Sequence, residues 1–134
     1  MADRIVNPSE LTGVGVTFRN HPVRVEIEYS AGRMLVLPSP DELTIKDGEG
    51  IEWDFRYLGG ADVMVDEIVV EFSKPAPFAK ASMRMKKPGF GRPHRILSGP
   101  ASVGGKTTRL SYTIRCYNSF KTEVAMGKPR LVIE

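Results

Sequence analysis

Cysteine is almost missing from this sequence: Cys116 is the only one in 134 residues, so no disulfide can close within the chain. A scaffold of stapled loops is thereby excluded, and folding must rest on an apolar core. Histidine is nearly as scarce. His21 and His94 each sit beside a proline, and neither falls in a metal-ligand spacing, so both read as loop residues. No apolar run approaches the roughly 18 residues of a membrane-spanning helix. The first residues carry Asp3 and no apolar stretch of leader length. Together with the lone cysteine, this sets a cytoplasmic location as the expectation. The most unusual absence is of acid. Residues 72–122 contain 11 Lys or Arg and no Asp or Glu, whereas residues 1–71 hold 14 acidic and 6 basic side chains. A net charge of +3 conceals this segregation.

What is present favours strands. Hydrophobic residues make up 41% and charged residues 26%, the balance of a folded chain rather than a disordered one. Thirteen glycines and ten prolines suit many turns between short strands. Residues 23–29 alternate strictly: Val23, Val25, Ile27 and Tyr29 on one side, Arg24, Glu26 and Glu28 on the other. Residues 51–57 repeat the pattern with Trp53, Phe55 and Tyr57 on one face, and Trp53, the sole tryptophan, is the expected centre of the core. Residues 109–116 do the same with Leu110, Tyr112, Ile114 and Cys116. Shorter strands are expected at 33–37, 43–45, 63–72, 122–126 and 131–133. Residues 1–20 form an arm with a possible first strand through Val14, Val16 and Phe18. The expectation is one all-β domain over 1–134: a single β-sandwich of seven or eight mostly antiparallel strands. A long basic loop, rich in proline and glycine, interrupts it at about 73–108, where 79–85 and 94–97 are candidates for a short strand or helical turn.

Two stretches carry a family resemblance. Thr44-Ile45-Lys46-Asp47-Gly48-Glu49-Gly50-Ile51-Glu52-Trp53 resembles the strand–turn–strand before the core aromatic of cupredoxin-like sandwiches. Leu110-Ser111-Tyr112-Thr113-Ile114-Arg115-Cys116 is similar to the late strand that delivers their cysteine. An immunoglobulin-like strand order fits nearly as well. The resemblance implies a sandwich but not the copper centre, which needs two histidines and a thiolate around one ion. Tyr117-Asn118-Ser119-Phe120 follows Cys116, and no histidine lies beyond it, although Met126 stands roughly where an axial ligand would come. No cofactor is expected, and a metal-binding cupredoxin-like protein is the remote alternative.

No constellation of residues argues for catalysis. Cys116 lies on the apolar face of its strand, where cysteine is usually a small buried hydrophobe. Gly104-Gly105-Lys106-Thr107 lacks the earlier glycine of a phosphate loop at the right spacing, and a strand rather than a helix follows. The chain is therefore expected not to be an enzyme. The basic segment is the functional candidate: Lys80, Arg84, Lys86, Lys87, Phe90, Arg92 and Arg95 form the expected contact surface. Glu26, Glu28, Glu52 and Asp54 form a complementary acidic face, on this chain or on a second copy. The expected function is a non-catalytic protein-interaction or self-assembly module, binding a protein partner or copies of itself and no membrane. The alternative is nucleic-acid or polyanion binding through the same loop, with a base stacked on Phe90.

Overall fold

The computed structural model describes residues 18–89 and 92–134. Eleven strands form among them: β1 (Asn20–Ser30), β2 (Arg33–Ser39), β3 (Glu42–Ile45), β4 (Gly50–Leu58), β5 (Glu67–Glu71), β6 (Ser82–Lys86), β7 (His94–Leu97), β8 (Thr108–Ser111), β9 (Thr113–Tyr117), β10 (Glu123–Gly127) and β11 (Arg130–Ile133). They make three sheets, in the orders β2-β1-β4-β7, β10-β9-β5-β6 and β3-β11-β8. The expected sandwich of seven or eight strands is thus corrected to eleven strands in three sheets, two of them mixed and the second wholly antiparallel. Periodicity sees a strand but not its partner, and two pairings are parallel, β1 with β4 and β3 with β11. The part of the expected first strand at Val14 and Val16 lies outside the described residues.

The alternating runs form strands because each has one face to bury. Val23 pairs with Trp53 and Val25 with Phe55, so the apolar sets of β1 and β4 fall on the same side of the first sheet. Between those two strands the chain makes the β1–β2 hairpin and then β3, which is how a parallel pair gains its crossover. Two chain segments run on from the third sheet to the second or back. The expected strand at 109–116 breaks at Tyr112 into β8 and β9, and β10 passes into β11 through Lys128-Pro129. Proline has no N–H for the ladder, and the Tyr112 N–H bonds to the Pro129 carbonyl at 3.0 Å.

One apolar cluster joins all three sheets. Trp53, Ile27, Ile68, Ile114 and Leu131 are fully buried in it, each worth about 1.5–3 kcal/mol of gross burial. Trp53 donates its indole N–H to the Tyr112 hydroxyl at 3.0 Å, and the two rings meet edge to face at 5.7 Å. The expectation for Trp53 as core centre holds. At one side the first and second sheets close tightly, since a Cβ on Gly127 of β10 would lie 2.9 Å from Val36 of β2. At the other side β6 and β7 end their sheets side by side and do not pair with each other.

The basic stretch at 73–108 is not one loop: β6 and β7 lie within it. Both candidates named there are strands rather than helical turns: 94–97 is β7, and 79–85 overlaps β6, which starts and ends later. No helix among the described residues is long and apolar enough to cross a membrane.

Candidate functional site

The alternation of β6 turns Met83 and Met85 inward and Ser82, Arg84 and Lys86 outward. On β7 the same period buries His94 and Ile96 and exposes Arg95 and Leu97. The two strands bring five of the seven expected contact residues close to one edge of the molecule: Arg84, Lys86 and Arg95 on the strands, Lys80 just before β6 and Lys87 just after it. Arg92, which precedes β7, is exposed. Phe90 lies outside the described residues.

Several of these cations already have partners. Arg95 Nε is 3.5 Å from Glu52 and 4.0 Å from Asp54, because β7 pairs with β4 in the register Asp54 to Arg95. The basic segment therefore does reach the chain's own acidic face, through this one residue. Glu26 and Glu28 lie one strand further away, on β1, opposite Arg56 and Leu58 of β4. Arg84 is 3.8 Å from Glu67. Lys87 is half-buried: its ammonium donates to the Asp62 carbonyl and sits 5.8 Å from the centre of the Tyr57 ring. Among the described residues, Lys80, Lys86 and Arg92 form no ion pair.

Two clefts flank β7. The larger, about 730 Å³, runs between the end of β4 and the 87–95 segment. It mixes signs, with Arg56, Lys87 and Arg92 against Asp54 and Asp62. The second, about 560 Å³, separates β6 from β7. Lys80, Arg84 and Arg95 rim it, Met83, Met85 and Ile96 line its floor, and no carboxylate faces it among the described residues.

His94 was expected in a loop; it is buried, and ties the two clefts together. Its Nε2 faces the Met85 carbonyl at 3.2 Å and so must carry the proton, which leaves Nδ1 to accept the Tyr57 hydroxyl at 2.7 Å. Burial holds the imidazole below its ordinary pKa and the Tyr57 phenol above its own. Both are neutral at pH 7. The period-two pattern of residues 94–97 was the available signal for this placement. His21, also expected in a loop, lies on β1 and meets Glu49 at 2.8 Å. Cys116 is fully buried and its thiol is pushed up to about 12, first by burial and then by Glu123.

The donors do not fit a blue-copper set. Both ring nitrogens of His94 are engaged, Cys116 is sealed in the core, and among the described residues no three His, Cys, Asp or Glu side chains gather where an ion could be held.

No family model matches the chain, and no curated protein matches it. Among solved structures it is similar to auracyanin A, a blue copper protein from the green thermophilic photosynthetic bacterium Chloroflexus aurantiacus, at 16% identity over 85% of this chain and 100% of that one, with a TM-score of 0.44. It is also similar to a variant of amicyanin in its reduced copper form, at 14% identity over 83% and 82% of the two chains, with a TM-score of 0.35. The resemblance to cupredoxin-like β-structure is therefore distant. The expected cytoplasmic location is withdrawn: the lone cysteine behind it is buried in the core, where it reflects packing rather than redox compartment.

Proposed function

We propose that the chain is a non-catalytic protein-interaction module that docks an acidic protein surface through the cations of β6 and β7. The observation that carries this reading is the cleft between those strands, rimmed by Lys80, Arg84 and Arg95 with no facing carboxylate among the described residues. The internal pairs of Arg84 and Arg95 are exposed and long, from 3.5 to 4.0 Å, and such pairs are worth at most about 1 kcal/mol. A partner carboxylate can therefore recruit both guanidiniums at little cost. The non-catalytic part of the reading is supported by the engagement of His94, Tyr57 and Cys116 in packing and internal hydrogen bonds.

Fluorescence anisotropy with labelled poly-L-glutamate and labelled single-stranded DNA, at low and moderate salt, tests the reading. Poly-glutamate should bind more tightly than DNA, lose affinity as salt rises, and fail on a Lys80→Glu/Arg84→Glu/Lys86→Glu variant. Tighter DNA binding with a steep salt slope would transfer the site to nucleic acid. Binding of neither probe would end the proposal.

A further inference from the structure

The ladder around β6 fixes which of its backbone groups are spoken for. The Phe72 N–H bonds to the Ala81 carbonyl at 2.7 Å, and the Lys87 N–H to the Asp66 carbonyl at 2.7 Å. By the two-residue period of an antiparallel ladder, residues 81, 83, 85 and 87 turn their peptide groups toward β5. Ser82, Arg84 and Lys86 therefore turn theirs away from it, to the open edge. β7 obeys the same logic. Its continuation, the Ser98 N–H, bonds to the Ile51 carbonyl at 3.0 Å, so Arg95 and Leu97 face away from β4. Two unpaired strand edges thus look into one cleft, and among the described residues neither pairs with a further strand.

Edges of this kind are usually blunted by charge, proline or a covering element. Here the charge is all of one sign, the floor is apolar, and Leu97 is 59% exposed at the rim. Resting on the interaction reading above, we infer that this cleft takes an extended acidic segment of a partner protein as an added strand along β6. The geometry dictates the segment's pattern. Residues opposite Ser82, Arg84 and Lys86 share the outer face and meet cations, so acidic side chains suit them. Residues opposite Met83 and Met85 point to the floor beside Ile96, so apolar side chains suit those. The segment recognised is one of alternating acidic and apolar residues, held by main-chain hydrogen bonds and selected by its side chains.

The probe is an acetylated, amidated peptide of alternating Glu and Val, about eight residues long to span a typical strand, and the protein is the full chain. A second probe carries N-methyl groups on the alternate peptide nitrogens that would face β6, with its charge unchanged. The plain peptide should bind, and the N-methyl peptide should bind at least tenfold more weakly. Hydrogen exchange of the Arg84 and Lys86 amides should slow at least tenfold when the plain peptide is added. Ser82→Pro removes one outward N–H at the first residue of an edge strand, where proline is tolerated. It should weaken the plain peptide severalfold without moving the melting temperature.

Equal binding of the two peptides, or unchanged exchange at Arg84, overturns strand addition while leaving electrostatic docking intact if poly-glutamate still binds. Failure of both peptides and of poly-glutamate removes the interaction reading as well. An Arg84 amide already protected in the chain alone, at monomeric or dimeric mass by light scattering, would mean the edge is occupied by the same chain or a second copy, and would also overturn the proposal.

Discussion

Replacing Tyr112 by phenylalanine should cost about 2 kcal/mol, although it removes one oxygen atom. The hydroxyl is the partner of the Trp53 indole N–H at 3.0 Å, and both residues are buried, Trp53 completely and Tyr112 to within 2%. The ring itself would stay, stacked on Phe72 at 4.8 Å and edge-on to Trp53 at 5.7 Å, so packing is preserved and the loss is electrostatic. A buried donor left without an acceptor costs about 1–3 kcal/mol, more than the net worth of the bond it made. With a urea m-value of about 2 kcal/mol per molar, the unfolding midpoint should fall by about 1 M. Trp53 is the only tryptophan, so its emission reports on this contact directly. Tyr29→Phe, at an exposed position, provides the control and should leave the midpoint in place. A midpoint lowered by less than about 0.3 M at unchanged m would refute the reasoning, because it would mean that water or another group satisfies the indole.

Two other perturbations follow from the same geometry. His94 is held below its ordinary pKa, chiefly by burial, so the folded chain resists a proton that the unfolded chain accepts below about pH 6.5. Its contribution is intact above that pH and is lost as pH falls: melting temperature should be flat from pH 8 to 7 and decline toward pH 5, and His94→Gln should flatten the decline. Equal slopes in the two proteins would show that other groups are responsible. Gly59 has φ +66, and a Cβ there would stand 2.3 Å from the Tyr29 carbonyl oxygen, whereas a Cβ on Gly60, at φ +82, would meet nothing. Gly59→Ala should therefore cost about 2 kcal/mol more than Gly60→Ala by chemical denaturation, since strain is common to both and the clash belongs to one. Equal losses would show that the β1–β2 turn gives way.

The alternating runs at 23–29, 51–57 and 109–116 were enough to establish an all-β chain with Trp53 at its centre, since a period of two can bury one face only in a strand. The same patterns identified Cys116 as a core residue and left Glu26, Glu28, Glu52 and Asp54 on outer faces. Charge segregation alone singled out the 80–95 segment. Pairing was decided by tertiary structure. The parallel alignment of β1 with β4, the break at Tyr112, and the choice of strand over helical turn at 82–86 and 94–97 all depend on neighbours distant in sequence, and hydrogen-bonded register leaves no local trace. His94 shows the limit most clearly: between a proline and an arginine it looked like a loop residue, and only the pairing of β7 with β4 turned it inward to Tyr57. The two open edges that define the candidate site are likewise a property of sheet order, because whether a strand has a partner on each side is settled by where the rest of the chain has gone.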